Sequence, residues 1–194
     1  SSGLAADIQP AKPTGAALTQ QQANDVFALY SQGRYQEALD KTRALIALHY
    51  NLPLLHNLAG AIHKALGQSH QAIGSFRRAI ALQPERAEAH NNLGNALKDS
   101  GQWQEADAAY RKALTLEPYF IEALNNFGDI LSHQGKPGEA MDCYEKAIRI
   151  NPRFAEAHFN LGCLYENQGQ WEQAISAYQW ALGIEPDIWE AMLK

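Results

Sequence analysis

The sequence predicts an all-α protein, a superhelical solenoid of stacked antiparallel helix pairs built from 34-residue units. Three observations carry this prediction. The first is a fixed period. Gly33, Gly67, Gly101, Gly135 and Gly169 are 34 residues apart, and Ala38, Ala72, Ala106, Ala140 and Ala174 keep the same step. So do Pro84, Pro118, Pro152 and Pro186, and Gly60, Gly94, Gly128 and Gly162. The second is that each period holds two apolar stripes at helical spacing. The third is that glycine and proline punctuate the stripes where a helix must stop, with no strand pattern between them. A unit of this size cannot bury its own apolar stripe, so its neighbours must cover it.

Taken in order, residues 1–18 contain Pro10, Pro13 and Gly15 with little apolar periodicity and read as a tag or linker, expected to be disordered. The opening Ser1-Ser2-Gly3, without methionine, reads as a tag scar or a processed end. Residues 19–52 form unit one, a degenerate cap with Asp25, Val26, Thr42 and Tyr50 at columns that are regular elsewhere. Thr19 followed by Gln22 predicts a capping box at its start. Unit two spans 53–86 and departs at Ala59 and His63. Units three, four and five span 87–120, 121–154 and 155–188. With Ala87 as position 1, positions 4, 7, 8 and 11 are His90, Leu93, Gly94 and Leu97, the packing face of a first helix, A. After Ser100-Gly101, the residues Trp103, Ala106, Tyr110, Ala113 and Leu114 form the stripe of a second helix, B, ended by Pro118. Gly94 and Ala106 allow the two helices to approach closely, and Tyr110 and Trp103 fill the space beside them. Residues 189–194, with Trp189, Met192 and Leu193, are expected to open a sixth helix A, with further repeats or another domain beyond it.

These residues resemble the tetratricopeptide repeat (TPR) family, whose pattern is large, Leu, Gly, Tyr, Ala, Phe/Tyr, Ala and Pro at positions 4, 7, 8, 11, 20, 24, 27 and 32. The resemblance rests on Leu93, Gly94, Ala106, Tyr110, Ala113 and Pro118 in unit three. In unit four it rests on Phe127, Gly128, Leu131, Ala140, Tyr144, Ala147 and Pro152, and in unit five on Leu161, Gly162, Tyr165, Ala174, Tyr178, Ala181 and Pro186. It implies a right-handed superhelix with helix A on the inside, lining a concave groove that receives a partner.

On a helical wheel the face opposite the packing positions is 2, 6, 9 and 13. Position 6 is Asn24, Leu58, Asn92, Asn126 and Asn160, with Asn57, Asn91 and Asn125 beside it at position 5, and position 9 adds Asn95. A carboxamide has one acceptor and two donors, so it can satisfy both polar groups of a passing peptide bond. Helices pack about 8–10 Å apart and an extended chain advances about 3.3 Å per residue, so one rung would meet a ligand at roughly every third residue. The column is similar to the asparagine ladder in the repeat region of O-GlcNAc transferase, which implies that Asn92, Asn126 and Asn160 clamp peptide backbone. Leu58 interrupts that ladder. Position 2 adds Glu88, Glu122 and Glu156, either an acidic edge favouring basic segments or first-turn acids that complement the helix dipole. The asparagines in turn are either peptide clamps, or solvated groove residues or inter-repeat hydrogen bonds that only stiffen the stack.

Other chemistries are poorly supported. The formal charge of −5 and a pI near 5.8 do not suit a nucleic-acid backbone as main partner. No apolar run approaches the roughly 20 residues that a membrane span requires, and a cytoplasmic location is expected. The series His49, His56, His63, His70 has the wrong spacing for a helical zinc pair, and His56 and His63 lie at packing positions, so core histidines are expected and no metal or other cofactor. Cys143 and Cys163 form no ligand motif. Trp103, Trp171 and Tyr35 at position 17 are expected to fill inter-helix gaps, and Phe159 with Cys163 fall near the groove side of unit five, where a small apolar pocket is one reading. Positions 2, 5 and 6 lack the cations of a carboxylate clamp. Catalytic residues are not identified. The readings left are a scaffold that binds a protein or peptide, the substrate-recognition arm of a larger glycosyltransferase or sulfotransferase, and a structural module that forms homo-oligomers through its C-terminal end.

Overall fold

The computed structural model describes residues 18–187, so the expectations for residues 1–17 and for a sixth helix at 189–194 lie outside the described residues. Among the described residues there are ten helices and no strand. They come in pairs: α1 (Gln20–Ser31) with α2 (Tyr35–Leu48), α3 (Pro53–Ala65) with α4 (Ser69–Leu82), and α5 (Ala87–Asp99) with α6 (Trp103–Leu116). Then follow α7 (Ile121–His133) with α8 (Pro137–Ile150), and α9 (Ala155–Asn167) with α10 (Trp171–Ile184). Each helix packs on the next in sequence, and α3, α5, α7 and α9 also touch one another in succession. This is an all-α helical-hairpin solenoid, in which each unit meets only its neighbours.

The turns follow from local chemistry. Gly33, Gly67, Gly101, Gly135 and Gly169 all have φ between 70° and 75°, a left-handed conformation that glycine adopts without a Cβ penalty. At α5 the Gly101 N–H donates to Lys98 O and the Gln102 N–H to Leu97 O, both at 2.9 Å, which satisfies two carbonyls the helix end would leave orphaned. At the N-terminus of α1 the Thr19 capping box is formed, with the Gln22 side chain bonded back to the Thr19 N–H at 2.9 Å.

Within the last four pairs the glycine of helix A faces the aromatic ring of helix B. A Cβ on Gly94 would lie 2.7 Å from Tyr110 Cε1, and one on Gly60 would lie 2.6 Å from Phe76 Cε1. Unit one inverts this arrangement. Val26 and Thr42 are both fully buried there, and the Thr42 hydroxyl donates to Ala38 O at 2.7 Å.

Four of the histidines make hydrogen bonds that hold the fold. His56, His90 and His158, all at position 4, hold the carbonyls of Tyr50, Pro84 and Pro152 through Nε2 at 2.8, 2.8 and 3.0 Å, pinning helix A to the loop before it. His63 bonds to Gln68 at 2.6 Å. Trp103 stacks on His133 of the following unit at 4.0 Å, and half-buried Tyr35 tilts against Tyr30 at 5.3 Å. Trp171 does not fill a gap and is 62% exposed.

Helix A is buried on more of its circumference than its four packing positions predict. Ala89, Ala123 and Ala157 at position 3, and Ala96, Ile130 and Leu164 at position 10, are buried as well, because helix A touches its own helix B, the previous helix B and the neighbouring helices A. Position 5 is drawn into the same interface. Phe159 is therefore 8% exposed and packs at 5.6 Å on Tyr178 in the core, with half-buried Cys163 against the same cluster.

Candidate peptide-binding groove

The face formed by positions 2, 6, 9 and 13 of successive helices A stays open. In α5 these are exposed Glu88, half-buried Asn92 and Asn95, and exposed Asp99; in α7 they are Glu122, Asn126, Asp129 and His133. In α9 they are Glu156, Asn160, Cys163 and Asn167.

The asparagines form a ladder between units. Asn92 Nδ2 donates to Asn57 Oδ1 at 3.2 Å, Asn126 to Asn91 at 3.2 Å and Asn160 to Asn125 at 3.0 Å. Every rung joins position 6 of one unit to position 5 of the unit before, 35 residues apart. Asn91 and Asn125 are thus buried acceptors, at 5% and 8% exposure, and their carbonyls are turned to the next unit. Asn92, Asn126 and Asn160 are half-buried and commit one amide proton. That leaves each with a second N–H and its carbonyl oxygen, one donor and one acceptor, which is what a peptide bond requires. The register also accounts for Leu58 and Asn24. Position 5 of unit one is buried Ala23, which offers no acceptor, and position 6 of unit two is buried Leu58, which needs none. Asn24 has no unit before it and accepts instead from Gln20 within α1 at 2.9 Å. The signal for this pairing was present in the sequence, since the two columns are offset by one unit.

Position 9 covers the helix B tyrosine. The Tyr110 hydroxyl donates to Asn95 Oδ1 at 2.6 Å and the Tyr144 hydroxyl to Asp129 Oδ1 at 3.0 Å. Burial first, then the nearby carboxylates of Asp129 and Asp99, push the Tyr110 hydroxyl well above the usual tyrosine range. Tyr144 is raised by burial and by Asp129. In unit two the pair is Ala61 and Phe76, without polar atoms, and the groove deepens there into a pocket of about 400 Å³ between Tyr30 and the Asn92 and Asn95 side chains.

The groove charges are mostly paired. Lys64 meets Asp99 at 3.2 Å and Lys98 meets Asp129 at 3.0 Å, each across a unit boundary. Glu88 is held by Arg86 at 2.9 Å and also accepts from Asn57 at 3.4 Å. Glu122 and Glu156 make no ion pair among the described residues, and both lie in the first turn of their helix. Burial pushes the Cys163 thiol up and the Cys143 thiol up to about 11, which keeps both as poor nucleophiles near neutral pH. Among the described residues no three His, Cys, Asp or Glu side chains gather as a metal site, and no helix is long and apolar enough to cross a membrane.

Family models described as tetratricopeptide repeat match residues 87–120, 155–188 and 109–142, and one described as TPR repeat matches 60–101 and 128–169. Together the matches run from residue 60 to residue 188 without a gap. Among solved structures, PilW, a widely conserved type IV pilus biogenesis factor, superposes with a TM-score of 0.79 at 22% identity, over 86% of this chain and 79% of its own. TTC0263, a thermophilic TPR protein of Thermus thermophilus, has a TM-score of 0.75 at 18% identity, over 90% and 95%. YrrB, described as a TPR protein with an unusual peptide-binding site, has a TM-score of 0.66 at 23% identity, over 87% of each chain. No curated protein sequence matches. The architecture is that of a protein–protein interaction scaffold, and the chain belongs to the tetratricopeptide repeat family.

Proposed function

We propose that the chain holds an extended segment of a partner protein along the helix A face, with Asn92, Asn126 and Asn160 as clamps on the segment's backbone. The observation that carries this reading is the state of those three amides: each is fixed in orientation by its rung and still presents one donor and one acceptor to the groove. A side chain held in place before binding loses less entropy on binding. Asn95 adds a further amide at the rim, while Glu122 and Glu156 favour basic residues in the ligand. Asn91 and Asn125 act through the ladder, by orienting Asn126 and Asn160. That YrrB has a peptide-binding site on the same fold is consistent with this use. The same groove would serve as the substrate-recognition arm of a transferase, with an extended substrate segment as the ligand.

The test is binding of an extended-peptide library to the parent chain and to Asn92→Ala/Asn126→Ala/Asn160→Ala. Three lost backbone contacts of about 0.5–1.5 kcal/mol each predict a loss of roughly tenfold to a thousandfold, spread over many sequences. Unchanged affinity in a folded triple variant would leave the ladder as a stiffening device only.

A second reading, self-association at the last helix pair, is favoured by Trp171 and Ile175 on α10, which are 62% and 57% exposed. Light scattering over a concentration range should then show a dimer that Trp171→Glu dissociates; a monomer throughout removes this reading.

A further inference from the structure

Position 25, on helix B, is Arg43, Arg77 and Arg111 in the first three units and Glu145 in the fourth. At two junctions the arginine acts as a strap across to the next unit. Arg77 Nη2 donates to Glu105 Oε2 at 2.6 Å. The Arg111 guanidinium lies 4.7 Å from the centre of the Phe127 ring, and it is held charged by its bond to Asp107 and by the field of Asp107 and Glu139. Glu105 and Glu139 occupy the same position, 19, of consecutive units. At the junction of α8 with α9 and α10 both halves of this arrangement change, to Glu145 and Gln173.

The adjacent position 26 changes in the same sense. It is Arg78, Lys112 and Lys146 in units two to four and Trp180 in unit five. The Trp180 indole is 65% exposed and stacks at 5.9 Å and 18° on His158. This junction therefore has a carboxylate and an indole where the others have two cations. In place of the strap there is an open cleft of about 690 Å³, with Leu161 and Ile148 among its apolar lining and Glu145, Glu172, Trp180 and the Arg149 side chain around them. Its size falls in the usual range for ligand sites, roughly 300–1,000 Å³. Among the described residues Glu145 has one ion-pair partner, Arg149 at 3.6 Å in an exposed i,i+4 pair of the kind that contributes little, and Glu172 has none.

The chemistry of this cleft matches one side chain. A guanidinium is flat, weakly hydrated and always charged, so it stacks on an indole face and pairs with carboxylates, while its methylenes lie on apolar surface. We propose that the cleft between α8 and α10 is a second binding site, separate from the asparagine groove, that takes an arginine side chain from a partner polypeptide. The partner supplies in trans the cation that Arg77 and Arg111 supply within the chain at the two preceding junctions.

The probe is a short acetylated and amidated glycine peptide with one central arginine, compared with its lysine and citrulline counterparts. The readout is the indole N–H resonance of Trp180, assigned with Trp180→Phe. Saturable shift with the arginine peptide, binding about tenfold weaker for lysine, and no shift with uncharged citrulline are expected. Glu145→Arg removes one of the two cleft carboxylates and puts a cation in its place, so a folded variant should lose the response, and the near-isosteric Glu145→Gln should weaken it. Asn126→Ala should leave it unchanged, which separates this site from the groove. A Trp180 resonance that does not move, a citrulline peptide that binds as well as arginine, or full binding by Glu145→Arg would each overturn the proposal.

Discussion

Between about pH 9 and pH 11 the folded chain is expected to lose on the order of 2–3 kcal/mol of stability through two tyrosines alone. Tyr110 and Tyr144 are fully buried rings whose hydroxyls donate to Asn95 and Asp129, and burial with the neighbouring carboxylates raises both well above 10. A group whose folded pKa is raised gives stability that is complete below its unfolded value and is lost as pH climbs towards the folded value. The unfolded tyrosines release protons from about pH 10 upward while the folded ones keep theirs, so each adds a slope approaching about 1.4 kcal/mol per pH unit. Urea unfolding at a series of pH values measures it. Tyr110→Phe/Tyr144→Phe should cost about 0.5–1.5 kcal/mol per hydroxyl at neutral pH and flatten the alkaline slope. The ring itself is accommodated without its oxygen, since unit two has Phe76 at this position with 1% exposure. An unchanged slope in the double variant would show that other groups govern the alkaline limit.

Gly128→Ala is expected to destabilise the fold by about 1–3 kcal/mol, although the same change in an ordinary helix interior stabilises by up to about 1 kcal/mol. The sign is decided by one ring. A Cβ at residue 128 would lie 2.5 Å from Tyr144 Cε1 and 2.8 Å from Cζ. Tyr144 is 2% exposed and its hydroxyl is tied to Asp129, so the ring cannot yield without disturbing that bond and its packing. Gly74 is the internal control. It lies within α4, is exposed, and has no heavy atom within 4 Å of a built Cβ, so Gly74→Ala should stabilise by up to about 1 kcal/mol. The two variants compared by denaturant unfolding should move in opposite directions; a stabilised Gly128→Ala would refute the close-approach account.

The helix pairs were legible because their signals are local and repeated. Gly101 must adopt a positive φ, Pro118 cannot continue a helix, and Thr19 with Gln22 satisfies its own helix end, all within a few residues of chain. The open face was legible for a related reason, since positions 2, 6, 9 and 13 lie opposite the packing stripe. The outcome for the asparagines was less accessible. Asn91 and Asn92 are adjacent in sequence and equal in chemistry, yet one is a buried acceptor for the unit ahead and the other a half-exposed donor to the unit behind. Phe159 is covered for the same reason as Asn91. A single helical wheel has one buried face, whereas a helix inside a stack is covered by its own partner and by neighbours on both sides.

By itself the sequence determined the period, the helix pairs, the turns and the residue types that face the groove, because each depends on propensities and contacts within one 34-residue unit. Only the tertiary structure decided how much of each amide remains for a ligand, which junction lacks its arginine strap, and which glycines cannot accept a methyl group. These depend on distances between side chains from different helices or units, which the packing of the helices sets.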